Sequence, residues 1–160
     1  TLIYGAGKGI IRSFQDFDLC AEPYMKHPKN TIYYFGDLDY EGIGIYENLA
    51  EKFRSRWKII PFVPAYQAML GKVEQIIELP ETKEHQNRNI STQFFSCFDE
   101  IMVKKMEAVL DKDRYPSGNF KYCRFLMQIL TQGGGFFVAE NGVNSNRLLY
   151  IMENLMIKNN

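Results

Sequence analysis

The stretch that most constrains this chain is residues 31–50, TIYYFGDLDYEGIGIYENLA. A run of β-branched and aromatic residues, the types favoured in strands, ends at Gly36-Asp37-Leu38-Asp39. An amphipathic helix pattern follows at once, with Tyr46, Leu49, Ala50 and Phe53 at the spacing of one buried stripe. This reads as a buried parallel strand that delivers two carboxylates to its own carboxyl end. Residues i and i+2 of a strand point the same way, so Asp37 and Asp39 converge. Open α/β sheets bind ligands at that edge. Two neighbouring carboxylates repel unless a positive charge neutralises them. A hard divalent cation such as Mg2+, which takes oxygen ligands, is suited to do so.

The rest of the chain continues the alternation. Short strands are expected at residues 1–4, 57–63 and 136–139, helices at 8–17, 65–77, 120–131 and 146–157, and one or two helices over 90–110. Residues 79–88 are polar and read as a surface loop, and 115–119 as a turn. Strands alternating with helices predict an α/β fold with a mainly parallel sheet. A length of 160 residues suits one domain spanning residues 1–160. The 14% aromatic content reads as core packing rather than base stacking.

Composition narrows the function classes. Formal net charge is zero, so bulk charge lends nucleic-acid binding no support, although a local patch would suffice. Candidate backbone-holding residues are Lys8, Arg12, Lys52, Arg54, Arg56, Lys104, Lys105, Lys121 and Arg124, set against the plainer reading of solvated faces. Cys20, Cys97 and Cys123 lack CxxC spacing and read as reduced thiols of a cytoplasmic protein. His27 and His85 are isolated, which speaks against zinc. No apolar run approaches membrane-span length, so no membrane partner is expected. Gly5-Ala6-Gly7-Lys8-Gly9 follows a strand and opens a helix, as a phosphate cradle does. Its spacing fits neither GxGxxG nor the P-loop. A tight structural turn is the simpler reading, and a nucleotide-binding or phosphotransfer domain using Lys8 is the alternative.

The pattern GDxDxxGxxI, from Gly36 to Ile45, resembles the Toprim domain, and most closely the topoisomerase VI A-subunit type. Within that group, residues 33–49 look like the C-terminal domain of the nuclease subunit of the Wadjet anti-plasmid systems (the JetD family). The resemblance extends to residues 2–7 and loosely covers most of the chain. It implies a Toprim-like, Rossmann-like sheet flanked by helices, and a third acid on a strand that precedes the Asp strand. Here the matching motif, Phe137-Val138-Ala139-Glu140-Asn141, lies near the other end. The expectation is therefore a circularly permuted domain, with residues 132–135 (Gln-Gly-Gly-Gly) as the join.

The resemblance implies a site of Glu140, Asp37 and Asp39, with the Asp pair holding Mg2+ or Mn2+ and Glu140 doing acid/base work or adding to the ligation. Glu41 is a candidate fourth oxygen donor, or an acid suited to the positive end of its helix. Plainer roles stand beside these: Asp39 as a helix N-cap, Asp37 as a hydrogen-bonded turn residue, Glu140 as a loop acid. Asn141 and Asn144 read as turn residues that could orient the carboxylates. The implied activity is Mg2+/Mn2+-dependent DNA endonuclease hydrolysis in plasmid defence. The implied partners are DNA, an SMC-like motor complex, and a second copy joined through a further domain. A non-catalytic DNA-interaction or assembly module is the alternative.

Overall fold

The computed structural model describes residues 2–4, 7–27, 29–116 and 136–139. The centre of the sheet is β2, Thr31–Phe35, with its Ile32, Tyr34 and Phe35 buried. β3, Lys58–Pro61, lies parallel to it on one side, and β4, Phe136–Ala139, parallel on the other. β1, Leu2–Tyr4, completes the order β1-β4-β2-β3. Pro61 has no backbone N–H, and it falls on an edge strand, where a missing donor is tolerated. Phe62 N–H extends the ladder beyond it, donating to Tyr34 O at 2.7 Å. The fold is thus α/β with an all-parallel sheet among the described residues.

Between β1 and β2 the expected single helix over residues 8–17 is broken up. A 3-10 turn at Gly7–Gly9 leads into α1 (Ile10–Ser13), and another at Phe14–Asp16 into α2 (Phe17–Cys20). Tertiary packing sets these breaks: Ile10, Phe14 and Phe17 all bury, and the Phe14 and Phe17 rings stack at 4.7 Å. Phe53 and Trp57 close the same cluster with edge contacts.

α3, Tyr40–Phe53, buries Ile43, Ile45, Tyr46, Leu49, Ala50 and Phe53 against the sheet. Beyond β3, α4 runs over Val63–Leu70, with Pro64 in its first turn, where a missing N–H does no harm. The sequence placed this helix at 65–77; it ends earlier, because Gly71 follows and the chain turns. α5, Glu100–Leu110, is capped by Asp99, which accepts from Met102 N–H at 2.8 Å. Of the one or two helices expected over 90–110, the first part forms only a 3-10 turn at Phe95–Cys97, and α-helix begins at Glu100. Phe94, fully buried, meets Tyr46, Tyr66, Phe95 and Phe98 at 5.0–5.6 Å between ring centres. The aromatic residues described here build the core.

The predicted helices at 120–131 and 146–157, and the glycine segment 132–135, lie outside the described residues.

One contact fixes how α3 meets β2. A Cβ at Gly42 would lie 2.3 Å from the carbonyl oxygen of Asp37. The approach exists only because residue 42 is glycine. Gly42→Ala should lose about 1–3 kcal/mol through this overpacking. Its thermal midpoint, read by calorimetry, should fall by roughly 3–10 °C.

Candidate functional site

The carboxyl edge of the sheet is built from β2 outward. The strand stops at Phe35, so the acid pair sits on the turn beyond it rather than in regular strand. Leu38, fully buried, drives the turn inward and separates the two acids. Two tyrosines pin the turn: Tyr34 Oη donates to Gly42 O at 2.8 Å, and Gly36 N–H donates to Tyr66 Oη at 3.1 Å. On the outer side, Leu38 N–H donates to Pro116 O at 3.4 Å, laying residues 114–116 alongside the acids.

Asp39 is the one buried charged side chain among the described residues, 7% exposed. It caps α3, its Oδ1 accepting from Gly42 N–H at 2.7 Å. The positive end of that helix favours a carboxylate there. Its other oxygen, Oδ2, accepts from Gln86 Nε2 at 2.7 Å. Asp37 is half-buried and has its own electrostatic partner.

Tyr115 lies within electrostatic reach of both acids. Burial and then the charges of Asp37 and Asp39 push its phenol above the ordinary value of 10.0. Sequence reasoning missed both Gln86 and Tyr115. One lies in a stretch readable only as polar loop and the other opens a predicted turn, and nothing in local spacing ties either to Asp39.

The remaining candidates are placed as follows. Glu41, in the first turn of α3, pairs with Lys8 at 3.3 Å. Lys8, the residue on which a nucleotide site would depend, stays largely exposed in that pair. Gly7 has a left-handed φ of 67°, as a tight turn requires; Gly5 and Ala6 lie outside the described residues. Glu140, Asn141 and Asn144 lie outside them too. The strand that runs into Glu140 is described, however. In β4, Ala139 pairs level with Phe35 of β2 and with Tyr4 of β1. Among the described residues no three His, Cys, Asp or Glu side chains form a metal-holding group.

The basic residues are largely tied to neighbours. Arg54 pairs with Glu51, Arg56 with Asp18 and Lys104 with Glu100, while Lys52 lies over the Phe53 ring. Arg12 and Lys105 are exposed, and Lys121 and Arg124 lie outside the described residues. Beside the acids, a groove of about 770 Å³ runs along α3, lined by both signs: Lys8, Lys83, Glu41, Glu47 and Glu51. Cys20 and Cys97 are free thiols, and Cys123 lies outside the described residues. Among the described residues no helix is long and apolar enough to cross a membrane. Set against known protein families, curated proteins and solved structures, the chain matches none.

Two predictions arise from this geometry. Asp39→Ala removes the cap and should destabilise by about 0.5–2 kcal/mol in denaturant melts, whereas Asp39→Asn, itself a good cap, should change little. The Tyr115 phenol should fall back toward 10.0 in Asp37→Asn, as read by ultraviolet titration against Tyr115→Phe. Because its folded value is raised, the stability from this proton is complete below pH 10.0 and is lost as pH climbs through the folded value.

Proposed function

We propose that this chain is the metal-binding catalytic domain, Toprim-like and circularly permuted, of a DNA endonuclease. The observation that carries the reading is the place of β4. The strand whose sequence runs into Glu140 is inserted directly beside the Asp strand, parallel to it and ending level with it. Nothing in the local sequence required a strand so far along the chain to enter there. Counting β4 first turns the order β1-β4-β2-β3 into 2-1-3-4, that of flavodoxin-like doubly wound sheets. The ligand crevice of such a sheet lies between its first and third strands. Here those are β4 and β2.

The donor set suits a hard cation. Asp37 and Asp39 offer carboxylate oxygens on a turn held by Tyr34 and Tyr66. Mg2+ or Mn2+ held there would polarise a phosphodiester and acidify a water. The protein's own part would be to fix Asp39 through Gly42 N–H and to bring Asp37 within reach. Glu140 would serve as acid/base or as a further ligand. Grip on DNA would come from further domains, since the basic side chains around α3 are engaged locally. By resemblance the parent protein would act as a dimer in plasmid defence with an SMC-like motor, in the cytoplasm.

One observation favours a second reading. Both oxygens of Asp39 already accept hydrogen bonds inside the fold, as a purely structural acid in a non-catalytic DNA-interaction or assembly module would. Plasmid cleavage by the parent protein separates the two. Asp37→Ala and Glu140→Gln should each abolish cutting, a loss of at least about a hundredfold, with little change in thermal midpoint. Undiminished cutting by both variants, or cutting that survives while Asp37→Ala loses stability, would favour the structural module.

A further inference from the structure

We propose that residues 81–91 form a strap whose latch, Gln86, competes with a divalent cation for Asp39. The inference rests on the reading of Asp39 as a cation ligand.

The strap is tied at both ends. At its start, Glu81 bridges to Arg114, and Thr82 N–H donates to Asp113 O at 2.8 Å. At its end, Ser91 donates to the Glu47 carboxylate of α3, the hydroxyl at 2.6 Å and the backbone N–H at 2.9 Å. Between these anchors Arg88 pairs with Asp113 at 2.5 Å and lies over the Tyr40 ring. Among the described residues of the strap, Gln86 is the one whose side chain hydrogen-bonds a candidate ligand. Next to it the chain turns through His85, whose φ of 61° is uncommon for a residue with a side chain. Lys83, Glu84 and His85 are exposed.

Chemistry makes the latch a competitor. Oδ1 of Asp39 is committed to the cap of α3, so Oδ2 is the oxygen left to a cation. Gln86 meets Oδ2 with its amide N–H, the positive end of the group. A cation at that oxygen would confront those hydrogens, so the amide must turn away or leave.

The latch is also poised to release. Its carbonyl, Oε1, is buried without a hydrogen-bond partner. Closure therefore combines one charge-assisted bond with one stranded acceptor, and opening lets water satisfy that acceptor. The end anchors keep the strap attached while its middle lifts.

The test uses Mn2+ alone with the full chain. Its affinity is measured for wild type, Gln86→Ala and Asp39→Asn, alongside trypsin cleavage after Lys83 and Arg88. The proposal expects binding that Asp39→Asn removes and Gln86→Ala tightens by roughly tenfold, the worth of one hydrogen bond to a charged group. It also expects Mn2+ to speed cleavage of the wild-type strap. Binding gained only in Gln86→Ala supports it equally. If wild type binds through Asp39 and Gln86→Ala binds no tighter, the latch is overturned while Asp39 stands as a ligand. Absence of binding in both wild type and Gln86→Ala overturns the latch and the cation reading together.

Discussion

The structure depends on how closely the first turn of α3 approaches the end of β2. Gly42 rests against the Asp37 backbone at a distance that no side chain would permit. That approach brings Gly42 N–H to Asp39 Oδ1, and its carbonyl to the buried Tyr34 hydroxyl. One residue thus joins strand, turn and helix. The Gly, Asp and Asp of the motif follow from this geometry: Asp39 caps, Gly42 yields space, and Asp37 sits at the bend between β2 and α3.

The same contact explains how a carboxylate stands so deep in the protein. Burial takes a carboxylate away from its water donors. Asp39 instead receives an N–H on each oxygen and the positive end of a helix. Nearby, burial and then the charges of Asp37 and Asp39 hold the Tyr115 proton more tightly. Some of the positive charge around α3 pairs with nearby acids, as in Lys8 with Glu41 and Arg56 with Asp18. In the nuclease reading, this domain supplies chemistry and other parts of the protein supply attachment to DNA.

What the sequence revealed follows the range of the forces involved. β2, the Asp turn and the stripe of α3 are set by local patterning, cap chemistry and a glycine, and all are legible in residues 31–50. The breaks around Phe14 and the late start of α5 at Glu100 were not, because burial of individual rings and the Asp99 cap decided them. The site divides in the same way. Asp37 and Asp39 are adjacent in the chain and readable from it. Gln86 lies 47 residues from Asp39 and reaches it through a loop anchored on two other elements. Pairing of that kind has no local signature. The motif around Ala139 was visible as an apolar strand running into an acid, but its seat beside β2 is a matter of topology.

The central claim is that a cation site forms where β2 and β4 end side by side. The most direct measurement is a crystal structure of the chain soaked in Mn2+, located by its anomalous signal. The account predicts a peak bound by Asp37 and Asp39 with Glu140 among its ligands, joining residues from distant parts of the chain. A map with Glu140 remote from the Asp pair and no peak at the turn would contradict it, leaving a helix cap on an α/β domain.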